Sequence, residues 1–142
     1  MRTLLIACGN PLRRDDGVAH ELLRLIPPVP DCELRSVLQL VPELAEEISG
    51  FDRVVFLDAD TRSLHPVIEP VPAPPMSRSP LTHAPEPAEI VALSRALFGF
   101  DGEALICRIP ARDFSPGETL GSCELLSINE AAGGLQGLIR IR

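Results

Sequence analysis

Residues 53–60 read Arg53-Val54-Val55-Phe56-Leu57-Asp58-Ala59-Asp60. The segment 53–57 suits a strand and is too short for an ordinary helix, and four successive apolar side chains leave it no polar face. Both faces are therefore expected to be covered, which is the condition of a parallel strand with helices above and below it. The start of the chain reads the same way: Thr3 to Cys8 is a short apolar run closed by the turn signal Gly9-Asn10-Pro11. Between these strands Val18, Leu22, Leu23, Leu25 and Ile26 keep a helical period until Pro27-Pro28 stops it, with Asp15 and Asp16 ahead of it as capping acids. Residues 32–38 predict another strand, and 42–48 a short acidic helix with proline near its first turn.

Downstream, prolines at 66, 70, 72, 74, 75, 80, 85 and 87 dissolve any period, leaving room for one edge strand near 67–71. A helical period resumes over 88–98 through Ile90, Val91, Leu93, Ala96 and Leu97, with Glu86 and Glu89 at its positive end. Residues 104–109 fit a strand, and 127–138 predict a terminal helix interrupted by Gly133-Gly134. Alternating strands and helices predict a three-layer α/β/α sandwich around a mostly parallel twisted sheet, its strand ends brought to one rim by right-handed crossovers.

A chain of 142 residues with 45% hydrophobic content can bury one core, so a single domain over 1–142 is expected. The net charge of −7, with basic residues scattered, offers no footprint for a phosphate backbone or an anionic membrane. Nucleic acid is not an expected partner. No stretch approaches the roughly 18–20 apolar residues of a membrane span, and MRTLLIACGN runs into a polar loop, so a soluble, cytoplasmic protein is expected. Cys8, Cys32, Cys107 and Cys123 form no CxxC pair; small buried apolar groups are their expected role.

The loop GNPLRRDDG sits between a strand and a helix, where nucleotide-binding folds hold phosphate, but it lacks the glycines of GxGxxG and GxxxxGKS. Its twin aspartates would repel phosphate and suit a cation. One of Asp15 and Asp16 can cap the helix while the other projects into the crevice beyond the strand ends. Asp58 ends an apolar strand at the same rim, where a carboxylate is costly unless paired; a turn, Arg13 or Arg62 would satisfy it structurally, and Asp60 is expected to face the other way. Among the histidines, His83 is best placed, because Ser79-Pro80-Leu81-Thr82-His83 leads from the proline-rich stretch into a helix. His20, four residues after Asp16, ranks second, and His65 has no periodic support. Two carboxylates and an imidazole would suit a borderline divalent metal such as nickel or zinc. HExxH and GxSxG are absent, and Cys8 has no evident base beside it.

Four segments in order resemble the hydrogenase maturation protease family, the nickel–iron hydrogenase endopeptidases. They are GNPLRRDDGVA, LQLVPELAEEISGFDRVVFLDAD, THAPEPAEIVALSRALFG, and a proline-containing strand end near Arg108 to Gly117, and they span most of the chain. The resemblance implies a phosphorylase/hydrolase-like α/β/α fold and a cytoplasmic peptide hydrolase. By it, the catalytic, metal-contacting residues fall on Asp16, Asp58 and His83. The nickel they contact is held in the hydrogenase large-subunit precursor, the implied partner, whose C-terminal extension is removed after nickel insertion; no organic cofactor is implied. The sequence departs from the family at Ala84 and Arg14, where glycine is common, and in a short C-terminal helix. No ligand is lost by these departures. Two other readings stand beside this one: a noncatalytic, nickel-dependent checkpoint or chaperone that binds the precursor, and a generic nucleotide-binding module, which the twin aspartates disfavour.

Overall fold

The structure is a computed structural model that describes residues 1–10, 12, 17–74, 85–111 and 122–140, the last helix by backbone alone at 122–126 and 140. In chain order the elements are β1 (Thr3–Cys8), α1 (Val18–Arg24), β2 (Cys32–Val37), α2 (Leu44–Ile48), β3 (Arg53–Asp60), β4 (Val67–Pro70), α3 (Pro87–Phe98), β5 (Glu103–Pro110) and α4 (Ser122–Arg140). One sheet takes the order β2-β1-β3-β5-β4, parallel throughout except for β4, which pairs antiparallel with β5. The expected mostly parallel sheet is therefore found. Pro70 sits in β4 at the sheet's outer edge, the place in a sheet where a missing N–H is tolerated.

Side-chain alternation along the three inner strands builds two cores. Leu5, Ala7, Val55, Leu57, Leu105, Cys107 and Ile109 meet Val18 and Leu22 of α1 and Ile128 and Leu135 of α4 on one face. Leu4, Ile6, Val54, Phe56, Ala104 and Ile106 meet Leu44 and Ile48 of α2 and Ile90 and Val91 of α3 on the other. Three layers result, and they account for the unbroken apolar run of β3: each neighbour in it serves a different core. Each large side chain so buried stabilises the fold by roughly 1.5–3 kcal/mol. At the lower end of the sheet, Arg53 is only 6% exposed; its Nε donates to Glu103 Oε1 at 2.8 Å and its Nη1 to the Leu138 carbonyl at 3.0 Å, tying α4 to β3 and β5.

The ends of α3 are written in local chemistry. Pro87 occupies its first turn, and Glu86 and Glu89 form a capping box in which Glu86 N donates to Glu89 Oε1 at 3.0 Å. Gly99 closes it in the left-handed region at φ 69°.

Two expectations are corrected. β3 does not stop at Leu57 but continues to Asp60, because β5 offers it backbone partners as far as Pro110 and a ladder needs no apolar side chain. Nor do Gly133 and Gly134 interrupt the last helix, which runs unbroken from Ser122 to Arg140. A glycine inside a helix costs about 1 kcal/mol relative to alanine. Burial of Ile128, Ala131, Ala132 and Leu135 outweighs that cost.

Candidate functional site

The four parallel strands end on one rim, at Cys8, Val37, Asp60 and Pro110. From β1 the chain departs toward β2; from its neighbour β3 it departs the other way, toward β5 and β4. The connections diverge, and the crevice between them is the switch point at which open α/β sheets hold ligands. Asp58 stands there. It follows Leu57, which pairs with Ala7 of β1, and it lies opposite Arg108 of β5.

Alternation from Val54 and Phe56 places Asp58 on the α2/α3 face, and alternation from Ala104 and Ile106 places Arg108 on the same face. The two are therefore cross-strand neighbours of opposite charge, and Asp58 is half-buried. Arg108 also donates from Nε to Glu69 Oε1 of β4 at 2.8 Å. Sequence reasoning paired Asp58 with Arg13 or Arg62 and overlooked Arg108, because only strand order brings residues 58 and 108 together.

Asp60 is a further correction. As a member of the same strand two residues on, it shares the face of Asp58, where the expectation had it facing away. Its Oδ2 accepts from Ser63 Oγ at 2.5 Å, its Oδ1 from Arg62 N at 3.0 Å, and its carbonyl from Ala111 N at 3.0 Å. Partial burial works against the charged form of Asp60, but the Ser63 and Arg62 hydrogen bonds and the charges of Arg108 and Arg62 outweigh it and hold the carboxyl below its ordinary pKa. Asp60 is thus an ionised turn-forming acid that fixes the chain as it leaves β3.

Both remaining segments of interest open at this rim. α1 and α3 each precede a parallel strand through a short connection, so each runs against the strands and begins at their carboxyl ends. The N-cap of α1 is Gly17 and that of α3 is Glu86. Asp16, next to Gly17, and His83, just before Glu86, lie outside the described residues, as do Asp15, Arg13, Arg14 and Ala84. Among the described residues no three histidine, cysteine, aspartate or glutamate side chains converge. Of the other two histidines, His65 is exposed and His20 points back to β1, its Nε2 2.6 Å from the Gly9 carbonyl. A groove of about 420 Å³ between Pro70–Pro74 and α3 is lined by Glu103 and Ala104, and so lies against the opposite end of β5.

The cysteines divide by depth. Cys8 closes β1 half-buried, with Sγ 4.0 Å from the Leu38 carbonyl. Burial raises the Cys32 thiol and pushes Cys107 up to about 12. A thiol held protonated is inert, so Cys107 should resist a thiol-specific reagent in native buffer and react at once after unfolding, measured by mass. The sign for stability follows. A group whose folded pKa is raised stabilises fully below its unfolded value of 9.0, and the contribution is lost as pH rises toward 12. The urea midpoint should therefore fall between pH 9 and pH 11, and Cys107→Val should flatten that fall.

No protein-family model matches the sequence, and no curated protein matches it. Solved structures do. Hydrogenase maturating endopeptidase HybD from E. coli superposes with a TM-score of 0.77 at 15% identity, over 99% of this chain and 93% of that one. The [NiFe] hydrogenase maturation protease HycI from Thermococcus kodakarensis KOD1 gives 0.71 at 19% identity, over 97% and 89%. HybD from Thermococcus kodakarensis gives 0.68 at 19%, over 97% and 99%. At such identities the likeness speaks for architecture: this chain has the α/β/α fold of solved hydrogenase maturation proteases.

Proposed function

We propose that this chain is a single-domain cytoplasmic endopeptidase that removes the C-terminal extension of a nickel–iron hydrogenase large-subunit precursor after nickel insertion. The observation that carries the reading is Asp58, a half-buried carboxylate at the switch point of a fold shared with solved hydrogenase maturation proteases. In the sequence Asp16 and His83 precede α1 and α3, whose caps Gly17 and Glu86 lie at the same rim. Among the described residues no helix is long and apolar enough to cross a membrane, in keeping with a cytoplasmic enzyme.

Hydrolysis joins water's oxygen to the scissile carbonyl carbon, breaks the C–N bond and delivers a proton to the departing amine. Two carboxylates and one imidazole suit a divalent first-row ion, here the nickel that the precursor carries as cargo. By gripping it, Asp16, Asp58 and His83 hold the scissile peptide at the rim and remove the entropy of that encounter from the barrier. A carboxylate oxygen left over from that grip would accept the proton of the attacking water. No organic cofactor enters this chemistry.

Purified chain mixed with purified nickel-loaded precursor should shift the precursor's mass by its C-terminal extension, and should leave nickel-free precursor intact. Asp16→Ala and His83→Ala should each abolish the shift. A precursor that binds at unchanged mass would turn the assignment to a checkpoint or chaperone. If no candidate precursor is either bound or cleaved, the assignment falls.

A further inference from the structure

Where β1 ends, the chain turns through a set of close polar contacts. Gly9 is buried at φ 147°, a conformation that L side chains rarely adopt, and its N–H donates to the Val37 carbonyl at 3.3 Å. Asn10 Oδ1 then accepts the Leu12 N–H at 3.0 Å, a side-chain-closed turn. From the far end of the loop, one helical turn past the Gly17 cap, His20 reaches back to the Gly9 carbonyl at 2.6 Å and is half-buried in doing so. A carbonyl only accepts, so His20 Nε2 carries the hydrogen, which both the Nε2–H tautomer and the protonated ring supply. The contact asks for an N–H at one atom and leaves the basicity of the ring unused.

We propose that His20 is a positioning residue: it latches the N-terminal turn of α1 to the Gly9 carbonyl, just past β1, and so ties together the two ends of the loop that carries Asp16. The inference rests on the proposed activity for its consequence, although the latch itself does not. A floating loop would scatter the acid at its end, and misplacement of a reacting group by about 1 Å can cost on the order of a hundredfold in rate. This role differs from that of a base or a metal ligand, either of which needs a lone pair on the ring.

Glutamine separates the two roles, because its amide nitrogen replaces Nε2 as a donor but supplies neither a base nor an imidazole ligand; asparagine places its amide at Nδ1, short of the carbonyl. With full-length protein and nickel-loaded precursor, His20→Leu and His20→Asn should lower kcat by about tenfold to a hundredfold with KM changed less than threefold. His20→Gln should recover to within about threefold of the native rate. Leucine and asparagine variants as active as the native protein, or a glutamine variant as impaired as leucine, would overturn the assignment. Nitrogen-15 NMR of the native protein tests the latch without cleavage: it should show the Nε2–H tautomer, with Leu12 amide exchange slowed relative to His20→Leu. A native chain that shows this signature yet cuts no precursor would sink the proposed activity and leave the latch standing; an Nδ1–H tautomer would sink the latch itself.

Discussion

Asp58→Asn is expected to lower the rate of precursor cleavage by about a thousandfold, within the range by which a positioned acid or base contributes. Asparagine keeps the shape of the side chain and its ability to accept one hydrogen bond, but removes the charge. The loss should therefore be chemical and not structural. Asp58 is half-buried near the carboxyl end of β3, beyond the apolar run that fills the cores, so the melting temperature should move by only a few degrees. Asp60→Asn is the control. It stands two residues on, on the same face, engaged by Ser63 and Arg62 in forming the turn, and should cost less than tenfold. Steady cleavage by the Asp58 variant, or an equal loss in both variants, would remove Asp58 from the proposed chemistry.

The second large effect is on stability. Gly102 lies between α3 and β5, and a Cβ built there would fall 2.3 Å from Asp52 O, 2.7 Å from Asp52 C and 2.7 Å from Phe100 Cε1. Two of these three atoms are backbone, and that backbone is occupied: Asp52 O accepts Glu103 N at 2.9 Å where β3 and β5 begin to pair. Relief would require the ladder to open. Gly102→Ala should thus cost about 3 kcal/mol, the upper part of the range for overpacking, and lower the thermal midpoint by roughly 10 °C. Gly133→Ala should do the reverse. Its Cβ would meet nothing within 4 Å on an exposed turn of α4, so alanine should stabilise by up to about 1 kcal/mol. Thermal unfolding of the two variants side by side checks both, and a neutral Gly102→Ala would show that the β3–β5 start is not rigid.

Sequence alone determined the layer count and the polarity of the sheet. Val54 to Leu57 had no polar face to give to water, so a strand there had to be covered twice, and the punctuation by Gly9-Asn10-Pro11 and Pro27-Pro28 marked where β1 and α1 give way to connections. It also marked Asp58, because a charge at the end of an apolar run is a local anomaly. Strand order was not local. That β5 lies beside β3, giving Asp58 its neighbour Arg108, carrying β3 on to Asp60 and closing the space around Gly102, depends on pairing between residues some fifty positions apart. No periodicity encodes such a pairing. In the same way His20 read as a possible ligand for its four-residue spacing from Asp16, whereas the packing of α1 against the end of β1 turned its ring to the Gly9 carbonyl. Local pattern decided which faces are apolar; chain-distant backbone hydrogen bonds decided which polar groups meet.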